Sequence, residues 1–222
     1  MESPYSVYKW FTPRFALNYF ARLAVEKGEQ AYKDNKYKKA REAWILGLAL
    51  LGINKLTNLQ WWLQVPKDDP PDMRAMTLVS NEQKNQNEMN HREIEITQIT
   101  KYSKAEIEDE ILKKLKNKYY TKETCLLVYI NRNQYISDMR KIAKKLEGKI
   151  NISDIWIVAS TSVDSSKHIL FCLHPHIQVQ NFDLFEEANK IPPGDLIELK
   201  PLSKGVKMTL VKKVPISKFI PE

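Results

Sequence analysis

Residues 125–130 read Cys-Leu-Leu-Val-Tyr-Ile, an unbroken apolar run between polar and charged neighbours. A strand wetted on one face alternates apolar with polar residues, whereas a strand covered on both faces does not. Helices on both faces of a sheet supply such cover where strands and helices alternate along the chain. The neighbouring sequence has that order. Ile107, Ile111, Leu112 and Leu115 recur at helical spacing before the run, and Met139, Ile142, Ala143 and Leu146 recur after it, with Gly148 at the end. Ser103 and Glu106 have capping-box spacing, Ser137 is placed to cap the second helix, and Asp109–Lys113 and Glu110–Lys114 read as exposed i,i+4 pairs. Asp154–Ala159 (DIWIVA) and Lys167–Leu173 (KHILFCL) are further buried strands. Strand, helix, strand, helix, strand predicts an α/β fold with a partly parallel sheet and right-handed crossovers.

Upstream, Phe15–Tyr32 and Tyr37–Leu51 carry apolar stripes on either side of Asp34-Asn35, and Gly52 is placed to stop the second stripe. They predict an N-terminal helical hairpin, tetratricopeptide-like in texture but present as a single unit, where a repeat array needs at least three. Leu59–Val65 and Met73–Val79 read as strands, and the polar stretch SNEQKNQNEMN as a loop. His91–Ile99 is the clearest strand, with Ile94 and Ile96 on one face and Glu93, Glu95 and Thr97 on the other. In the adjacent Trp61-Trp62 pair, one ring belongs to the core and the other to the opposite face. Towards the end, Asp183–Lys190 suits a short helix, and Leu196–Leu199 with Val206–Val211 suits a hairpin at the domain edge. The expected division is a helical region over 1–57, an α/β core over 58–180 and an extension over 181–222.

Composition narrows the function. With 43% hydrophobic residues the chain can bury a core, which excludes a disordered or fibrous protein. Lys and Arg number 35 against 27 Asp and Glu, a net charge of +8 that favours a polyanionic partner. The excess concentrates in 9–41 and 101–149, where Lys113, Lys114, Lys116 and Lys118 crowd one helix and Lys141, Lys144 and Lys145 another. Such lysines suit phosphate contacts, and near a helix C-terminus they also suit the macrodipole. Cys125 and Cys172 both lie in apolar runs, as buried free thiols of a reducing compartment would. No signal-like opening is visible and the longest apolar stretch, 43–53, is shorter than the roughly 20 residues a membrane helix needs. The expected location is cytoplasmic, with no membrane partner.

The acidic residues carry the chemistry. Asp72 follows Pro70-Pro71, and Glu93, Glu95 and Thr97 share one strand face. Carboxylates on neighbouring strands, with a main-chain carbonyl from Ile94 or Ile96, are the hard oxygen set that Mg²⁺ or Mn²⁺ takes. Such an ion activates water and neutralises phosphate during phosphodiester hydrolysis. Asp72 is equally an ordinary turn residue, and Glu93 and Glu95 equally suit a wetted strand face. His168, His174 and His176 are the alternative ligands, but His174-Pro-His176 has no third partner at clear spacing. Cysteine–histidine catalysis is disfavoured because both thiols sit in apolar strands.

Pro71-Asp72 followed by Glu93-Ile94-Glu95-Ile96-Thr97, within the order helix, three strands, helix, strand, helix, strand, resembles the PD-(D/E)XK nuclease superfamily. The resemblance covers roughly residues 36–173. It implies a restriction-endonuclease-like mixed sheet flanked by helices, here with an N-terminal helical hairpin and a C-terminal β-hairpin extension. It also implies an Mg²⁺-dependent endonuclease acting on DNA, in defence, restriction or a mobile element. Asp72, Glu93 and Glu95 would be metal ligands, and Glu42 on the preceding helix the supporting acid. The family's lysine two residues after the acid is absent. Counting from Glu93, Glu95 stands in its place; counting from Glu95, Thr97 does, which implies weak or lost catalysis. Lys101 would reach the site only if its strand ended early.

The alternative function is a catalytically inactive subunit of the same fold that binds nucleic acid within a larger complex. From a different class comes a protein-interaction module, or a homo-oligomer, built on the N-terminal helices.

Overall fold

Alternation of buried positions organises the molecule into one ten-stranded mixed sheet with helices against it. The structure, a computed structural model, describes residues 8–67, 70–81, 86–116, 120–132, 138–162, 164–192, 194–202 and 205–211. Its strands are β1 (Tyr8–Phe11), β2 (Trp61–Gln64), β3 (Met73–Asn81), β4 (Gln86–Thr100), β5 (Thr124–Asn131), β6 (Asp154–Ser160), β7 (Lys167–His174), β8 (Gln178–Asp183), β9 (Leu196–Leu202) and β10 (Gly205–Val211). They lie in the order β10-β9-β1-β2-β3-β4-β5-β6-β7-β8. The β4–β5 and β5–β6 pairs are parallel, and the other neighbours are antiparallel. The helices are α1 (Pro13–Lys27), α2 (Gln30–Lys33), α3 (Lys38–Thr57), α4 (Ile107–Lys116), α5 (Met139–Leu146) and α6 (Leu184–Lys190).

β5 is buried on both faces, as its unbroken apolar run requires. Cys125, Leu127 and Tyr129 join one core with Ile45, Leu48 and Leu51 of α3, while Leu126, Val128 and Ile130 join another with Ile107 and Ile111 of α4 and Met139 and Ile142 of α5. Trp61 packs edge-to-face on Trp156 in the first core, and Trp62 turns to the opposite side, near Trp10 and Met76.

Local expectations are corrected in several places. The first stripe is not one helix: Gly28, with φ +57°, ends α1 and α2 restarts at Gln30. Gly52 does not stop α3, which continues to Thr57 and ends at left-handed Asn58. A Cβ at Gly52 would lie 2.9 Å from Phe182 Cε1 and 3.0 Å from Leu170 Cβ, so this glycine permits close packing of the helix on the sheet. Ser103 does not cap α4; its hydroxyl donates to Glu110 Oε1. Ser137 lies outside the described residues, and Asp138 caps α5 by accepting the Arg140 N–H. Both strands of the β3–β4 hairpin extend into the stretch expected as a loop, whose residues 82–85 are outside the described set. The tail hairpin lies at the sheet edge as expected, with β10 outermost, but β9 pairs with β1, a strand within the region expected to be helical, so the tail extends the main sheet.

One mismatch of strand length positions the candidate site. β3 pairs with β4 only as far as Met73↔Ile94, whereas β4 continues along β5 to Thr100↔Asn131. Beyond Ile94, therefore, the β3 side of β4 has lost its strand neighbour.

Candidate active site

Asp72 sits at that step. Its Oδ2 accepts the main-chain N–H of Ile96 at 2.8 Å, replacing the partner that β3 would have supplied. The side chain is thereby held in the plane of the sheet, accessible to groups from both faces, and the residue is 3% exposed. Glu95, 1% exposed, points towards the α4 face. There Lys114 of α4 places its Nζ 3.2 Å from Glu95 Oε2 and 3.7 Å from Asp72 Oδ2, so one ammonium joins the two carboxylates. The single proton of the Tyr120 hydroxyl is shared between Glu95 Oε2 at 3.5 Å and the Lys114 carbonyl at 3.4 Å. Burial, then the charges of Glu95 and Asp72, push the phenol well above its ordinary value and keep it protonated.

From the other face α3 contributes Glu42, 3% exposed. Lys38 Nζ lies 3.3 Å from Glu42 Oε1 and 3.8 Å from Asp72 Oδ1. Lys39 Nζ lies 3.5 Å from Glu42 Oε2 and donates to the Asp72 carbonyl at 2.9 Å. Burial raises the Glu42 pKa, the Asp72 charge raises it further, and Lys38 and Lys39 oppose both. Three buried carboxylates thus face three lysines that enter from the surface. Ionised carboxylates out of water are costly unless paired, and this is the pairing.

Of the residues singled out from sequence, Asp72, Glu95 and Glu42 come together. Glu93 lies half-buried on the same strand face, between Arg74 of β3 and Thr124 of β5, and among the described residues no ion pair ties it to the cluster. Thr97 is half-buried one step further along. Lys101 does not reach back, because β4 runs to Thr100; its ammonium instead lies over the Tyr102 ring, 5.2 Å from the centroid. Lys38, Lys39, Tyr120 and Lys114 are the residues missed, and Lys114 is not in an exposed pair with Glu110. A signal for Lys114 existed: it is seven residues after Ile107 and three after Ile111, on the buried stripe of α4, where a lysine needs an acidic partner inside.

The other candidate chemistries find less support. Both cysteines are buried and free; burial pushes Cys172 up to about 12 and Cys125 well above its ordinary value. Among the described residues no three His, Cys, Asp or Glu side chains form a group that would hold a metal ion by themselves, His174 and His176 included. The donor set nevertheless fits a hard divalent cation in one respect. Asp72 and Glu95 already share a cation, the Lys114 ammonium, and Mg²⁺ commonly binds through one or two carboxylates and keeps several waters. Of the two carbonyls expected to assist, Ile94 is still paired with Met73 whereas Ile96 lies at the open step.

Among the described residues no helix is long and apolar enough to cross a membrane. Compared with models of protein families, with curated proteins and with solved structures, the chain finds no match.

Proposed function

We propose that the chain is a metal-dependent nuclease of the restriction-endonuclease-like type that hydrolyses DNA phosphodiester bonds. The observation that carries this reading is the sharing of the Lys114 ammonium by Asp72 and Glu95 where β3 stops and β4 continues. It supplies two carboxylates and a lysine although the strand position expected for the lysine holds Thr97. Asp72 and Glu95, with the Ile96 carbonyl, would hold Mg²⁺ or Mn²⁺, and Glu42 would add a third acid. When bound, the ion would supply an activated water and charge neutralisation at phosphorus. Lys114 provides a positive charge for the phosphate oxygens, and Tyr120 orients Glu95 by donating to it. Water forms the new P–O bond, the bridging ester oxygen departs, and the proton from water ends on solvent or on the leaving oxygen.

Supercoiled plasmid and single-stranded DNA, incubated with the protein in Mg²⁺ or Mn²⁺, test this directly. Metal-dependent cleavage lost in Asp72→Asn, Glu95→Gln and Lys114→Met is the expected result. Cleavage that survives all three substitutions would remove the cluster from the mechanism.

A second reading has its own observation. Lys38, Lys39 and Lys114 already balance the three acids, as they would in a decayed site kept only for stability. Salt-dependent DNA binding with no cleavage in either metal would favour this nucleic-acid-binding subunit.

A further inference from the structure

A cavity of about 590 Å³ opens at the carboxyl ends of β4 and β5, and none of Glu42, Asp72 and Glu95 lines it. Ligands of open sheets commonly bind beyond the carboxyl ends of parallel strands, and the volume is within the roughly 300–1,000 Å³ of small-molecule sites. Its lining combines three chemistries. Trp44 and Tyr129 provide aromatic wall, edge to face with ring centroids 5.3 Å apart. His168 provides a buried polar group: it is 3% exposed and stacked on Phe182. Arg41 provides buried positive charge. Its guanidinium donates to the Ala31 and Asp34 carbonyls, and among the described residues no carboxylate comes within ion-pair distance of it. Lys101, the exposed Tyr102 and Lys33 also line it, as does Glu29, which is paired with Lys33.

A buried guanidinium that makes no ion pair favours an anion, and Gln98, Asn131 and Ser165 in the lining favour a ligand that makes hydrogen bonds. Inorganic phosphate would leave the aromatic wall unused, and a fatty anion would leave those polar side chains unmatched. A flat heteroaromatic ring carrying a phosphate satisfies all three.

We infer that this cavity binds a single nucleotide unit, its base among Trp44, Tyr129 and His168 and its phosphate towards Arg41 and Lys101. The inference stands whether or not the acid cluster is catalytic. The unit comes either from a free mononucleotide or from a single strand.

Calorimetric titration of the full chain with adenosine 5′-monophosphate, with a 5′-phosphorylated single-stranded hexanucleotide and with inorganic phosphate tests it. Binding by the mononucleotide or the hexanucleotide at about 1 mM or tighter is expected, with phosphate at least about tenfold weaker. Binding by the mononucleotide identifies a free nucleotide as sufficient; binding by the hexanucleotide alone identifies a strand. Lys101→Glu, at the surface, and His168→Phe, which keeps the stack on Phe182, should each weaken binding about tenfold. No binding by either nucleotide form, phosphate binding as tight as theirs, or binding indifferent to Lys101→Glu would overturn the inference.

Discussion

Lys38–Glu42 in α3 and Glu186–Lys190 in α6 are the same two residue types at the same i,i+4 spacing, yet they do different things. In α6 the Glu186 side chain is 59% exposed, and solvent screens the pair. In α3 the Glu42 side chain is 4% exposed, its lysine also approaches Asp72, and Lys is N-terminal to Glu, the weaker helical orientation. Helix stability therefore does not account for the α3 pair. Burial does: a carboxylate is kept out of water beside another carboxylate, and lysines are drawn in to compensate.

The largest expected effect tests whether burial there serves chemistry. Asp72→Asn and Glu95→Gln should each reduce metal-dependent plasmid cleavage to background, and Lys114→Met should reduce it on the order of 10²–10³-fold. Folding stability comes next. Asp72→Ala strands the buried Ile96 N–H and should cost about 1–3 kcal/mol in denaturant unfolding. Asp72→Asn retains an acceptor oxygen and should cost less, so equal losses would show that the N–H bond is not what Asp72 contributes.

A smaller effect concerns pH. The Glu42 pKa is raised in the folded protein above its ordinary 4.5, so the native state binds the proton more tightly than the unfolded state. Its contribution to stability is therefore complete below the unfolded pKa and is lost as pH rises through the folded one. Glu42→Gln should remove that decline from melting curves recorded upward from pH 4.5; an unchanged pH profile would mean that Glu42 is not destabilised by burial. The smallest effect is the control: Glu186→Ala should leave the melting temperature unchanged, because the Glu186 side chain is 59% exposed and its charge is solvated. A clear shift there would erase the distinction between the two pairs.

Much of the architecture was legible because periodicity reports burial directly. The unbroken 125–130 run required helices on both faces, and the alternation around Ile94 and Ile96 assigned Glu95 to the opposite side. Length mismatch between strands has no such signature. Nothing local says that β3 ends beside Ile94 while β4 continues, and that step is what makes Asp72 a partner of Ile96 rather than a turn residue. Gly52 failed for a related reason: a glycine required by a neighbour 118 or more residues away looks, locally, like a helix stop.

By itself, then, the amino-acid order determined the alternation of strands and helices, the doubly buried centre of the sheet, and the presence of acids on one strand face. Those properties follow from backbone geometry and apolar spacing, which act within a few residues. Tertiary structure alone decided which charges meet. Glu42, Asp72, Glu95 and Lys114 come from two helices, a strand and the residue that precedes another strand, and only the packing of α3 and α4 on opposite faces brings them to one point. Coulombic pairing depends on distance through space, so no spacing along the chain could encode it.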